Sequence, residues 1–129
     1  MRVIPLELAR QLREAGLVWK PEPGDRFVVP DRDLDEVFVL SHMTIEVHRL
    51  PKGTVIGFNG TTEWALDDVD QDEALWLPRE DQLRELLGAA VHRLERAAAG
   101  WVVHTTVGEF AAPGAEEAYG RALLGLLTV

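Results

Sequence analysis

The N-terminal part of the chain shows one helical pattern and then two short β-rich segments. Apolar residues recur at helical spacing through residues 5–15, Pro5 suits the first helical turn, and Gly16 follows as a left-handed stop. Residues 26–29 and 37–40 are rich in valine and phenylalanine and are separated by an acidic stretch. The pattern predicts a helix over 5–15 and two strands in a hairpin or meander.

The clearest strand pattern covers residues 42–48. Met43, Ile45 and Val47 alternate with polar residues, which places the apolar side chains on one face of a sheet. A Pro-Lys-Gly turn then leads to a second β-rich segment, and the connection is too short for a helical crossover. Residues 42–58 therefore predict an antiparallel hairpin.

Residues 59–77 carry cap, aromatic and acidic residues in close succession. A threonine at 61 or 62 is suited to cap a short helix that contains Trp64 and ends near Asp67. Residues 74–77 are an apolar run of strand length. The segment predicts a short helix, an acidic turn and another strand.

A stripe of leucines predicts a long helix further along the chain. Pro78 is expected to open it, acidic residues occupy its first turn, and the stripe continues to about Ala99, with Gly100 as terminator. Residues 101–107 predict the last strand, and residues 116–127 predict a closing helix after a Pro-Gly loop.

The order of these elements favours an α+β fold. A helix, several adjacent strands, a long helix, a strand and a final helix do not alternate as they would in a doubly wound sheet. We expect an antiparallel β-sheet with two or three helices packed on it. A single domain over residues 1–129 is long enough to bury a core without a metal or a disulfide.

Charge and cysteine content limit the partners and the compartment. The chain has a formal net charge of −9 and no cluster of three basic residues, so nucleic acid and anionic lipid are unfavourable partners. Its start, M-R-V-I-P-L-E-L, has charges too early for a signal peptide, and no stretch reaches the roughly 18 apolar residues of a membrane span. With no cysteine as well, we expect a cytoplasmic protein that is not bound to membranes.

The acidic and histidine residues do not match a known metal-binding motif. The aspartates in 31–35 and 68–72 have the alternate spacing of a calcium loop, but the required glycine and bidentate glutamate are missing. Glu46 and His48 can supply two zinc ligands if a neighbouring strand supplies others, whereas His42 lies too far from His48 to share an ion. A solvated polar face is the alternative. We predict no resident metal and no cofactor.

The nucleophile motifs of covalent catalysis are absent. Ser41 is the only serine and lacks the G-x-S-x-G elbow, and the glycines near residue 60 lack the lysine of a P-loop. His92, on the polar side of the predicted long helix, and His104, in the predicted last strand, have no sequence-local partner suited to base catalysis. We predict no catalytic residues and favour a structural role for both histidines.

Aromatic residues supply the candidate binding site. Trp19 enters a proline-rich turn and, with Phe27, is either an exposed interaction site or the closure of one end of the core, the second being favoured. Trp64 and Trp76, which are flanked by acidic residues, leave the same two alternatives. The candidate binding residues are Trp19, Asp25, Phe27, Glu46, His48, Asn59 and Trp64.

Three ordered blocks resemble a small uncharacterised bacterial family found mainly in actinobacteria. They are A-G-L-V-W-K-P-E-P-G-D-R-F at residues 15–27, G-F-N-G-T-T-E-W-A-L-D at 57–67 and W-L-P-R-E-D-Q-L-R-E-L-L at 76–87, and the similarity covers most of the chain. Some members carry an automatic label of pilus assembly protein of the CpaE type, which implies a nucleotide-binding ATPase. This chain has no Walker lysine motif. The resemblance therefore implies a coherent domain and supplies no catalytic residues.

Together these features favour a non-catalytic binding or protein-interaction module. Its partner is expected to be another protein or a second copy in a homodimer, because a short sheet exposes an edge strand or an aromatic face. Two alternatives stay open. One is a small metal-dependent hydrolase using Asp25, Glu46 and His48, and the other is an acidic immunity or antitoxin-like protein with a basic partner.

Overall fold

The computed structural model of the protein describes residues 2–30, 34–40, 45–50, 53–58, 68–70 and 73–129. In these residues, three α-helices accompany three antiparallel sheets of three strands each, which confirms the α+β class. The helices are α1 (Leu6–Glu14), α2 (Glu80–Leu87) and α3 (Ala115–Leu127). The strands are β1 (Arg26–Val29), β2 (Leu34–Val39), β3 (Ile45–Leu50), β4 (Gly53–Phe58), β5 (Asp68–Asp70), β6 (Leu75–Trp76), β7 (Val91–Ala97), β8 (Gly100–Thr105) and β9 (Gly108–Ala112).

The chain divides into two compact units. One unit is Trp19–Trp76, and the other combines Met1–Val18 with Leu77–Val129. The first contains the sheets β2-β1-β6 and β3-β4-β5, and the second contains the three helices and the sheet β7-β8-β9. The single domain over residues 1–129 stays a prediction. Among the described residues, no helix combines the length and the hydrophobicity that crossing a membrane requires.

The first sheet confirms the predicted strands at 26–29 and 74–77, the latter in shortened form. β1 lies between β2 and β6, and Phe27 is directly opposite Phe38 on one side and Trp76 on the other. Directly opposite residues point to the same face of a sheet, so these three aromatic rings share one face. Trp19 packs on them, with its ring centroid 5.5 Å from that of Phe27 and 6.4 Å from that of Trp76.

The second sheet confirms the predicted antiparallel hairpin. β3 pairs with β4 from Ile45 opposite Phe58 to Leu50 opposite Gly53, and β5 adds to the other edge of β4. The predicted strand residues before Ile45 and the predicted short helix around Trp64 lie outside the described residues.

In the second unit, the helices α1 and α3 confirm the predictions for 5–15 and 116–127. α1 buries Leu8, Ala9 and Leu12, and Gly16, two residues beyond its last residue, has a φ of +109°, a conformation that favours glycine. The two helices approach closely at Gly120, where a Cβ atom would lie 2.8 Å from Cδ2 of Leu8. α3 also packs against α2, β8 and β9.

The predicted long helix from Pro78 to about Ala99 is wrong beyond Leu87. α2 ends there, Gly88 adopts a φ of +55°, a short 3-10 turn follows, and residues 91–97 form β7. β7 pairs with β8 from Val91 opposite Thr105 to Ala97 opposite Gly100. A glycine that stops the helix and a neighbouring strand that supplies hydrogen-bond partners outweigh the helical spacing of the apolar residues.

The predicted end of the sheet is also wrong in two respects. Gly100 begins β8 instead of terminating a helix, and β8 is followed by β9. The turn between them is closed by Thr105, whose hydroxyl donates to the carbonyl of Gly108 and accepts from the N–H of Val107. The chain thus forms a three-stranded meander where one strand was expected.

A polar cluster marks the first turn of α2. The backbone N–H of Arg79 donates to the Gln82 side chain at 2.9 Å. The Arg79 guanidinium donates to the Asp81 carboxylate at 3.0 Å, and this hydrogen bond is the main cause that lowers the pKa of Asp81 below its ordinary value. The predicted acidic first turn is therefore present, two residues after Pro78.

Candidate binding site

Three of the candidate binding residues are part of the core of the first unit. Trp19, Asp25 and Phe27 are only 7%, 2% and 0% exposed. The indole N–H of Trp19 donates to Oδ2 of Asp25 at 2.9 Å, and the backbone N–H of Glu22 donates to the same oxygen at 3.0 Å. Of the two alternatives for Trp19 and Phe27, the structure shows the one in which they close the core.

Of the other four candidates, two are among the residues that the structure describes. Glu46 and His48 lie two residues apart on β3, opposite Gly57 and Val55 of β4. Asn59 and Trp64 lie outside the described residues. The binding role of the full set of candidates stays a prediction.

A cleft that sequence analysis missed lies at one end of the third sheet. Trp101, half-buried at the start of β8, lines two adjoining cavities of about 270 and 350 Å³. Ala97, Gly100 and Pro113 line both cavities as well. We call these shared residues and the two cavities the Trp101 cleft.

Arginine side chains border the cleft on both sides. Arg96 is directly opposite Trp101 across the β7–β8 pair, and its guanidinium carbon lies 5.4 Å from the indole ring centroid, within cation–π range. Arg2 borders the larger cavity, where its Nη1 lies 3.9 Å from Oε1 of Glu116. Arg121 borders the smaller cavity, where it donates to the carbonyl of Ala111 at 2.7 Å and forms an ion pair with Glu117. The cleft is therefore rich in cations although the chain has a net charge of −9.

Gly100 shapes the cleft because nothing larger fits at its position. A Cβ atom would overlap the carbonyl oxygen of Ala112 and lie 2.7 Å from Cα of Pro113. Its φ of +146° is also one that side chains rarely adopt. The absence of a side chain lets the start of β8 approach the end of β9.

Substituting alanine for Gly100 is expected to lower the free energy of unfolding by about 3 kcal/mol, because backbone strain and steric overlap add. Gly108→Ala is the matched control, since Gly108 has a similar φ of +132° and its Cβ would meet only Phe110, at 4.0 Å. The control is expected to cost about 1 kcal/mol from strain alone. Urea unfolding measures both variants, and equal losses would show that the overlap at Gly100 is relieved without cost.

His104 follows Val103 in β8, so the two side chains lie on different faces of the third sheet. The His104 side chain is 13% exposed and lies between two glutamates. Its Nδ1 is 3.0 Å from Oε1 of Glu109, which is directly opposite it on β9. Its Nε2 is 3.4 Å from Oε1 of Glu95, an ion-pair distance without hydrogen-bond geometry. The expectation that His104 has no sequence-local partner suited to base catalysis did not take Glu109 into account, because the β8–β9 hairpin was not predicted.

The arrangement around His104 does not form a metal site. The two carboxylates lie against opposite nitrogens of the imidazole ring, so the three side chains do not converge on one point. Among the residues that the structure describes, no group of three or more His, Cys, Asp or Glu side chains is arranged to hold a metal ion. His92 is exposed on β7 and not on a helix, contrary to its predicted place.

Comparison with known proteins gave no match. No family model, no curated protein and no solved structure is significantly similar to this chain. The family resemblance of the three sequence blocks therefore stays a prediction.

Proposed function

We propose that this chain is a cytosolic, non-catalytic protein-interaction module that binds a segment of a partner protein in the Trp101 cleft. The observation that carries the proposal is the half-buried Trp101 indole with the Arg96 guanidinium over its ring, between two cavities. Tryptophan and arginine are the residue types most enriched among the energetic anchors of protein interfaces.

The size and lining of the cleft favour a peptide segment over a large cofactor. The cavities, of about 270 and 350 Å³, lie just below and just above the lower limit of the range for small-molecule sites, roughly 300–1,000 Å³. The smaller cavity is lined by alanines, Pro113 and Trp101, which suits an apolar side chain. Arg96 and Arg2 at the larger cavity suit a carboxylate. We therefore propose a partner segment with alternating acidic and apolar residues.

The charges explain why a cationic cleft is useful on an acidic protein. A net charge of −9 repels other acidic chains at long range, so an acidic segment gains affinity only where local cations outweigh that field. Arg96 is exposed, and its position over the Trp101 ring presents its guanidinium to a ligand. A basic segment would meet no matching carboxylate there except Glu116, which already faces Arg2.

The test uses the peptide acetyl-Glu-Leu-Glu-Leu-Glu-amide as the probe. The chain has four tryptophans, whose indole N–H signals can be resolved by nuclear magnetic resonance and assigned with Trp-to-Phe variants. We expect the peptide to shift the Trp101 signal and to leave the signal of the buried Trp19 unchanged. Arg96→Gln is expected to weaken binding roughly fivefold or more.

Two controls make the result specific. The same peptide with lysine in place of glutamate is expected to bind much more weakly, because its charges oppose Arg96 and Arg2. Arg84→Gln, at an exposed position on α2 that does not line either cavity, is expected to leave binding unchanged. No shift of the Trp101 signal at millimolar peptide, or equal binding by the Arg96 and Arg84 variants, would contradict the proposal.

A further inference from the structure

β7 is an edge strand that is accessible on both of its faces. It pairs with β8 on one side, and no strand among the described residues pairs with its other side. Along β7 only Val91 and Leu94 are half-buried, and the other residues are exposed. An uncovered strand edge presents unpaired N–H and C=O groups, which is the usual starting point for strand addition.

The backbone geometry shows which residues present those groups. The two-residue turn between Ala97 and Gly100 closes on a hydrogen-bonded pair, and hydrogen-bonded and non-hydrogen-bonded pairs then alternate from Ala97 to Arg93, beyond which the register shifts. Counted from Ala97, the backbone groups of Glu95 and Arg93 point to β8. The groups of Leu94 therefore point to the free edge.

The charges on β7 are complementary to themselves. Arg93 and Glu95 flank Leu94 and project from the same face, where Nη2 of Arg93 lies 3.7 Å from Oε2 of Glu95. If a second copy of β7 pairs antiparallel about a two-fold axis at Leu94, Leu94 lies opposite Leu94 and exchanges two hydrogen bonds with it. Arg93 of each copy then lies opposite Glu95 of the other.

From this pattern we infer that the protein forms a homodimer in which two β7 strands pair at Leu94 and join two third sheets into one six-stranded sheet. Neighbouring registers do not fit. A two-fold axis at Arg93 places Arg93 opposite Arg93, and an axis at Glu95 places Glu95 opposite Glu95. Directly opposed like charges destabilise a strand pair.

Charged residues on an edge strand can also serve to prevent pairing. β7 differs because Arg93 and Glu95, on either side of Leu94, carry opposite charges. A strand protected by charges of one sign would repel its own copy. Here the repulsion arises only in the wrong registers. The dimer goes beyond the proposed function, because it depends on the backbone edge and the charges of β7 at Arg93, Leu94 and Glu95, none of which lines the Trp101 cleft. Either proposal can therefore fail without the other.

The first measurement is sedimentation of the full chain over a range of concentrations. An edge-to-edge contact buries less than the about 1,600 Å² of a standard interface, so we expect a weak dimer, of twice the 14.4 kDa chain mass, that dissociates on dilution and at high salt. A mass that stays at one chain at all concentrations would overturn the inference.

Charge reversal tests the register. Arg93→Glu and Glu95→Arg each place like charges opposite one another twice, so each is expected to weaken the dimer roughly tenfold or more. The double variant exchanges the two charges and is expected to restore association. An equimolar mixture of the two single variants is expected to form a heterodimer, because each then supplies the charge that the other lacks. A double variant or a mixture that stays monomeric would overturn the register and the inference.

Cysteine cross-linking gives a readout that does not depend on charge. The chain has no cysteine, so Leu94→Cys introduces a single thiol. In the inferred register the two Cα atoms at this position are about 5.5 Å apart, within the roughly 4.4–6.8 Å that a disulfide spans. Ala97→Cys is the control, since its two copies would be six residue steps, about 20 Å, apart.

The two cysteine variants test the inferred dimer even if a charge-reversed chain fails to fold. We expect Leu94→Cys to oxidise to a covalent dimer at concentrations where the native chain associates, and Ala97→Cys to stay monomeric. Equal cross-linking of both variants, or none in either, would overturn the inference. Because neither readout involves Trp101, loss of peptide binding would leave the dimer result unaffected.

Discussion

Replacing Phe27 by alanine is expected to lower the free energy of unfolding by about 4 kcal/mol, the largest effect we predict for this protein. The Phe27 side chain is fully buried at the centre of the first sheet. Its ring centroid lies 5.5 Å from that of Trp19 and 5.5 Å from that of Phe38. Truncation removes these contacts and leaves a cavity that rigid aromatic neighbours fill poorly.

Urea unfolding followed by tryptophan fluorescence measures this loss, because Trp19 and Trp76 belong to the same unit as Phe27. Val39→Ala is the matched control. It removes apolar atoms from β2 of the same sheet, but Val39 is 44% exposed, so we expect a change of less than about 1 kcal/mol. A loss at Phe27 no larger than that at Val39 would show that the aromatic cluster is not the main stabilising contact of the first sheet.

Replacing Asp25 by alanine is expected to lower the free energy of unfolding by about 3 kcal/mol. One carboxylate oxygen accepts two hydrogen bonds, from the Trp19 indole and from the backbone N–H of Glu22. The carboxylate is buried, so its removal takes a hydrogen-bond acceptor away from both donors at a place with little access to solvent. The backbone of Asp25 also accepts from the N–H of Leu40, which ties the turn to the end of β2.

A double-mutant cycle with Trp19→Phe isolates the side-chain contact. Phenylalanine lacks the indole N–H, so Asp25→Ala is expected to cost about 1 kcal/mol less in that background. Glu22→Ala is the control for the turn, since it keeps the backbone N–H and removes only an exposed side chain, and it is expected to have little effect. An additive cycle would mean that the Trp19–Asp25 hydrogen bond does not contribute to stability.

Phe27→Ala and Asp25→Ala also test whether these candidate binding residues act on the stability of the protein. Trp19, Asp25 and Phe27 were predicted as binding residues, and their burial means that changing them acts first on the stability of the first unit. A single tryptophan in a proline-rich turn looks the same in sequence whether it faces solvent or a sheet. Burial depends on β2 and β6, whose residues Phe38 and Trp76 lie far from Trp19 in sequence.

The elements that were predicted correctly are those with strong local signals. α1 has a helical stripe between a proline and Gly16, β1 and the β3–β4 hairpin have β-rich segments near turns, and α3 follows a Pro-Gly loop. In each case the residues that specify the element lie within it or directly beside it. Local preferences and the periodicity of apolar residues were sufficient there.

β7 shows where local signals fail. Its apolar residues Val91 and Leu94 continue the helical spacing of α2, and nothing in residues 91–97 alone forbids a helix. The strand forms because Gly88 stops the helix and because β8 offers backbone partners to every residue from Arg93 to Ala97. Because β7 was not predicted, the Trp101 cleft and the His104 cluster were not predicted either. Both require side chains from neighbouring strands.

The sequence by itself therefore determined the α+β class, the net charge of −9 and the elements whose signals are local. Only the tertiary structure decided that Trp19 and Phe27 are core residues, that Arg96 lies over Trp101 and that no described strand pairs with the outer edge of β7. The physical reason is that helical and β periodicities are properties of neighbouring residues. Burial, cation–π contact and strand order depend on backbone pairing between segments that are distant in the chain.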